Sequence, residues 1–269
     1  MNKKVIGIIV IAVFIIIVIF VVLNKIKPNG LSPAGRASVS ALLAQAREAG
    51  IKGNFLEEKN IYQRLVSDFP GSSEVSDWQK KSENLNMILL FSSTVTPKSI
   101  SYEVKSGDTL NKIAKNFKTT PELISKSNNL SSDKIIPGRK LKVWTAGFSV
   151  FVDKSQNTLM LKSDDEIIKT YIVSTGAGNS TPVGTFKILN KLPNPTWFKA
   201  GAVVPPESPE NVLGTRWMGF DLAGYGIHGT VEPQNLGKQV TQGCVRMANP
   251  DVEELYTIIP VGTEVTVVD

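Results

Sequence analysis

The stretch from Val5 to Leu23 contains no charge and no proline and is dominated by Ile and Val. As a helix it reaches roughly 28 Å at about 1.5 Å per residue, close to the ~30 Å hydrocarbon core of a bilayer. A cleaved signal peptide has a shorter apolar region, about 7–15 residues ending in small side chains. Here Asn24, Lys25, Ile26 and Lys27 follow instead. The expectation is an uncleaved, single-pass transmembrane anchor over 5–23, behind a short tail at 1–4. Lys3 and Lys4 before the span balance Lys25 and Lys27 after it, so charge gives little bias for orientation. The shortness of the tail, with the bulk of the chain beyond the span, points to an extracytoplasmic C-terminal part.

About 245 residues remain, enough at ~100–200 residues per domain for one large domain and one or two small ones. The net charge of +6 is spread along the chain with no block of like charges. That is a mild preference for anionic surroundings, not a nucleic-acid footprint. The single cysteine excludes a disulfide within the chain. An unpaired thiol outside the cytoplasm points to reactivity or to intermolecular pairing.

A linker at 24–36 carries Pro28, Gly30, Pro33 and Gly35. Ala37 to Ala49 then has a helical pattern that Gly50 and Gly53 end. Phe55, Tyr62, Leu65, Val66 and Phe69 recur at helical spacing until Phe69-Pro70-Gly71-Ser72, and Val75, Trp78, Leu85 and Ile88 begin a third pattern. Residues 37–91 therefore read as a helical spacer. The run from Ala41 to Trp78 resembles a degenerate tetratricopeptide repeat, a unit that rarely stands alone because it cannot bury its own face.

Beyond a linker at 92–100 the pattern changes. Tyr102-Glu103-Val104-Lys105 reads as a short strand and Ser106-Gly107-Asp108 as a turn, with Asp108 placed to cap a helix. Leu110, Ile113, Ala114 and Phe117 share one face of that helix, and Thr120-Pro121 opens a second. Lys140 to Val143 supplies a closing strand. This β-α-α-β unit, 101–144, resembles the lysin motif through Tyr102 to Leu110, Ile113-Ala114, Asn128-Asn129-Leu130 and Ile135-Ile136-Pro137-Gly138. The resemblance implies binding to N-acetylglucosamine-containing glycan strands. Removing the module is expected to weaken wall binding and to spare turnover of a small soluble peptide.

From Phe148 the chain is β-rich, with strands expected at Phe148 to Val152, Thr158 to Lys162, Ile167 to Ser174 and Gly184 to Leu189, and one clear helix at Asp251 to Ile258. Such spacing points to a sandwich or barrel-like sheet structure. The only histidine, His228, and the only cysteine, Cys244, both lie beside glycine, in Ile227-His228-Gly229-Thr230 and Thr241-Gln242-Gly243-Cys244-Val245-Arg246. Each alone is most simply a core residue; together they make a candidate nucleophile and base, since an imidazole that takes the thiol proton activates the sulfur. Backbone N–H groups of Gly243 and Cys244 are candidates for an oxyanion hole. One His and one Cys fall short of a zinc site. Thr175-Gly176-Ala177-Gly178 is too short for a phosphate cradle.

Residues 148–269 resemble the L,D-transpeptidase catalytic domain through Ser174-Thr175-Gly176, Thr181 to Phe186, Asn211-Val212-Leu213-Gly214, Tyr225 to Thr230, and Thr241 to Met247 with Asn249. The resemblance implies a mainly-β sandwich and a cofactor-free cysteine enzyme. Such an enzyme attacks the bond between the L-centre of the third stem residue and D-Ala, and passes the acyl group to an amine of another stem. By position, Cys244 matches the nucleophile and His228 the base. Gly229 would orient the ring through its carbonyl, and Gly243 would serve the oxyanion. Arg246, Thr241, Gln242 and Tyr225 would contact substrate. Val212 stands where the family usually has proline, and Gln242 where it often has histidine. The implied partners are peptidoglycan stem peptides and glycan strands, the implied inhibitors carbapenems. Hydrolysis of the same acyl-enzyme, as an L,D-carboxypeptidase, and non-catalytic wall tethering are the alternatives.

Overall fold

The computed structural model describes residues 33–199 and 201–269. The expected anchor at 5–23 and most of the first linker lie outside the described residues. Among those described, no helix is long and apolar enough to cross a membrane. The chain divides into two compact units at Leu85/Asn86.

In the first unit, α1 (Pro33–Ile51) and α2 (Phe55–Asp68) form a hairpin, followed by the opening of α3 (Val75–Phe91). Val39, Leu42, Ala46 and Ala49 recur every three or four residues on α1 and bury against Ile61, Tyr62, Leu65 and Trp78. Asn54 caps α2 by accepting from the Glu57 N–H. The expected third helix runs three residues past Ile88, to Phe91.

The second unit begins with the end of α3. Strand β1 (Ser99–Glu103) pairs antiparallel with β2 (Lys140–Trp144) and frames α4 (Leu110–Phe117) and α5 (Pro121–Ser127). The cap of α4 is Thr109, whose hydroxyl accepts from Lys112 N–H. Asp108, expected in that role, instead closes the preceding turn by accepting from Lys105 N–H and Tyr102 OH, both at 2.8 Å. Thr120 caps α5, with Pro121 in its first turn as the sequence suggests.

The β-rich part follows with β3 (Phe148–Asp153), β4 (Thr158–Ser163), β5 (Glu166–Gly176), β6 (Gly184–Pro193), a small hairpin of β7 (Trp197–Lys199) and β8 (Ala202–Val204), then β9 (Arg216–Phe220), β10 (Gly226–His228), β11 (Gln239–Thr241), β12 (Val245–Met247), α6 (Asn249–Ile258) and β13 (Glu264–Val268). Two strands belong to two sheets. The first part of β5 pairs with β4 up to Ile172, and its end pairs with β12 from Val173. Likewise β6 pairs with β13 through Lys187 and with β9 from Ile188 onward. The pairings thus close on themselves, giving a sandwich whose two sheets share β5 and β6. Burial along β5 follows: it is intermittent at the start, at Ile168 and Tyr171, and continuous from Val173 to Gly176, where the strand enters the interior.

The lysin-type unit is not a separable appendage. Leu123 and Trp144 belong to the same buried cluster as Val150, Val173, Met218, Ile227, Val245 and Leu255. Thr120 Oγ donates to the Thr257 carbonyl near the end of α6. Lys142 Nζ reaches the Leu89 carbonyl and, at 2.8 Å, that of Ser92, satisfying carbonyls left open at the end of α3; burial lowers its pKa to about 8. The expectation that deleting 101–144 spares turnover is therefore corrected: removal would strip apolar side chains from the core that carries the later strands.

Candidate active site

Three short neighbouring strands build the site. Strand β10 runs parallel to β12, with Ile227 opposite Val245 and His228 opposite Arg246, and antiparallel to β9, with His228 opposite Trp217. Cys244 lies just before β12, two residues from Arg246, so the strand's period of two puts thiol and guanidinium on one face. Register partners share a face as well, which adds His228 and Trp217. All four line a groove of about 710 Å³ together with Thr241, Gln242, Tyr225, Gly224, Trp197 and Phe198.

The loop bearing the thiol is fixed from within. Thr241 Oγ donates to the Cys244 carbonyl at 2.6 Å and accepts from the Gly243 N–H at 3.2 Å. Gly243 has φ +127, in the region that favours glycine, and a Cβ there would meet the Tyr225 ring at 2.7 Å. The Gly243 N–H, expected as an oxyanion donor, is thus turned inward to the Thr241 hydroxyl. That leaves Cys244 N–H as the other backbone donor named from the sequence.

His228 is 4% exposed, and its Nδ1 lies 2.7 Å from the Gly229 carbonyl oxygen. A carbonyl can only accept, so Nδ1 carries the hydrogen and Nε2 is the basic nitrogen. Gly229 is required by the packing behind it, because a Cβ would run into Asn249 Oδ1. That oxygen accepts from Thr230 N–H at 3.0 Å and Thr215 N–H at 3.2 Å, tying two loops to the first turn of α6.

Burial pulls the His228 pKa down to about 4; the Gly229 hydrogen bond opposes this and the Arg246 charge reinforces it. Burial also pushes the Cys244 thiol up, against a backbone hydrogen bond at Gly226 and the Arg246 charge, which lower it. The thiol is partly exposed to the groove, and Sγ donates to the Gly224 carbonyl at 3.5 Å. At neutral pH the resting pair is a thiol and a neutral imidazole, not an ion pair. Arg246 Nη1 pairs with Glu232 Oε2 at 3.0 Å, while its buried Nε has no protein partner among the described residues.

Residues 147–267 match the YkuD L,D-transpeptidase catalytic domain, and residues 102–144 match the LysM domain. The chain is 33% identical over 175 residues to the putative L,D-transpeptidase YkuD of Bacillus subtilis, an overlap covering 62% of this chain and 98% of that protein. The chain belongs to the L,D-transpeptidase family. It is also 41% identical over 126 residues to the putative L,D-transpeptidase YqjB of Bacillus subtilis, covering 45% of this chain and 70% of that one. The solved catalytic domain of the Enterococcus faecium L,D-transpeptidase aligns at 22% identity and TM-score 0.39, over 46% of this chain and 98% of that one.

Within this L,D-transpeptidase domain the structure gathers Cys244, His228, Arg246, Thr241, Gln242 and Tyr225 around one groove and sets Gly229 and Gly243 behind it. Sequence reasoning missed Trp217 and Glu232, and named Asn249 only in passing. Trp217 sits in Arg216-Trp217-Met218-Gly219-Phe220, a brief alternating run whose pairing with His228 is a long-range fact. An Asn-Pro pair opening a helix was the available signal for Asn249.

Proposed function

We propose that this chain is a peptidoglycan L,D-transpeptidase, held at the membrane by residues 5–23 with its catalytic domain outside the cytoplasm, in the periplasm or cell wall. The observation that carries this is that Cys244 shares one groove with a single imidazole whose Nδ1–H is engaged by the Gly229 carbonyl, so that Nε2 is left to take a proton. As Sγ attacks the carbonyl of the third stem residue, the thiol proton passes to Nε2 and the S–C bond forms. Cys244 N–H supports the oxyanion. The imidazolium returns its proton to the departing D-Ala amine as the C–N bond breaks, leaving a thioester. An amine of another stem then attacks the thioester and gives a proton to Nε2; the new amide C–N bond forms as the S–C bond breaks, and the imidazolium returns that proton to Sγ. The LysM domain holds glycan strands while this proceeds, and the helices of the first unit act as a spacer from the membrane.

Incubating the chain with disaccharide-tetrapeptide and reading products by mass spectrometry tests the reading. Cross-linked dimer with loss of D-Ala is expected. Tripeptide alone would make the chain an L,D-carboxypeptidase, and unchanged substrate would make it a tether.

A further inference from the structure

The imidazole becomes a cation at the step where it takes the thiol proton, yet its surroundings oppose a positive charge. It is buried, and its register partner Arg246 is itself cationic. The carboxylate near that arginine, Glu232, is engaged by Arg246 Nη1 and by Asn235 Nδ2. What faces the ring is Trp217, stacked at 6.0 Å between centroids with 21° between planes. An indole face stacks on a neutral ring and attracts a cation within about 6 Å of its centroid in addition, so the contact strengthens when the imidazole is protonated.

The indole lies in a fitted slot. Gly219 and Gly226 are register partners two residues along from Trp217 and His228, on the same face. A Cβ on Gly226 would meet the indole Cζ2 at 3.0 Å, and one on Gly219 would meet its Nε1 at 2.8 Å. Nε1–H donates to Asn190 Oδ1 at 3.1 Å, from the point where the β6–β9 register shifts. Two glycines and one amide thus fix an aromatic plane against the base, and they do so at the groove wall, where Trp217 is only partly buried.

We propose that Trp217 is a positioning residue for His228: its ring face holds the imidazole plane and favours the imidazolium formed as Cys244 is activated. This rests on His228 acting as the base. Since the ring acts only through the imidazole, its worth must vanish when the imidazole is gone, which a double-mutant cycle reads directly.

The rate of Cys244 acylation by a carbapenem would be measured for the full-length chain, for Trp217→Leu, Trp217→Phe and His228→Ala, and for the double variant Trp217→Leu/His228→Ala. Trp217→Leu is expected to slow acylation about 3- to 30-fold, with Trp217→Phe recovering most of it. In the His228→Ala background the Leu substitution should change nothing further. An equal loss in both backgrounds would mean that Trp217 merely shapes the groove, and the proposal falls. If His228→Ala itself acylates at the parent rate, the base assignment fails instead, and the two failures are told apart. Asn190→Ala keeps the indole and removes its anchor; a fraction of the Trp217→Leu loss is expected, again only with His228 present, and a loss independent of His228 would count against the proposal.

Discussion

His228 lies directly opposite Arg246 in the parallel pairing of β10 and β12, so the single imidazole is buried beside a guanidinium and stays neutral. The consequence for pH is definite in sign. In the unfolded chain the ring binds a proton below about pH 6.5; in the folded protein it does so only near about 4. Between those values the unfolded state holds more protons, so stability is lost as pH falls through the window, by about 3 kcal/mol in all. Urea titrations at pH 7 and pH 4.5 should show that the difference in stability between parent and His228→Gln narrows or inverts as pH falls. A difference independent of pH would contradict a buried neutral ring. The same low pKa predicts an acylation rate that is flat from pH 5.5 to 8, without an acid limb near 6.5.

A carbapenem should form one adduct per chain, at Cys244, the only thiol. Intact-mass analysis is expected to lose that adduct in Cys244→Ala. Persistence of the adduct would place the nucleophile elsewhere.

Thr241 holds the loop that carries Cys244 through one accepted and one donated hydrogen bond. Thr241→Val removes both and should slow acylation by about 10- to 100-fold, the scale of a sub-ångström misplacement of a reacting group. Thr241→Ser keeps the hydroxyl and should remain within a few-fold of the parent. Equal losses in the two variants would mean that the methyl group, not the hydroxyl, matters.

Leu123 is buried in the core that also contains Val173, Ile227 and Leu255, although it comes from the LysM domain. Leu123→Ala should cost about 2–5 kcal/mol, as large-to-small core changes do. Thermal unfolding should show that loss in one cooperative transition, with catalytic turnover lost at the same temperature. Two separate transitions would mean that the domains unfold independently.

Much of this was legible in the sequence, and the boundary has a physical cause. Strands β3 to β6 are long enough for alternation to show, and the helices carry clear caps or stops. The strands around the groove are different: β10, β11 and β12 have three residues each, with a glycine in β10 and one two residues away from each of the others. Periodicity needs more residues than that. Cys244 and His228 were found by chemistry and resemblance instead, while Trp217 became visible only once β9 lay beside β10. The Gly243 N–H, expected at the oxyanion, turns to the Thr241 hydroxyl instead, because a loop's internal hydrogen bonding depends on φ, which glycine leaves open. The misplaced cap at Asp108 is a smaller case, in which two neighbouring oxygen-bearing side chains competed for one helix end and local geometry chose Thr109.

Helix α6 has its first residue, Asn249, holding the backbone at Thr215, ahead of β9, and at Thr230, just after His228, and its last turn receiving Thr120 from the LysM domain. Ten residues of helix set about 15 Å between those ends. One helix and one shared core thus join the LysM domain to the domain that carries the thiol, so that under the proposed function a glycan strand seated on the first would offer to the second only the stems within that reach. Under that reading the spacing of new cross-links along a glycan strand would be a dimension of the protein skeleton, measured as a preferred interval between linked stems in digested wall.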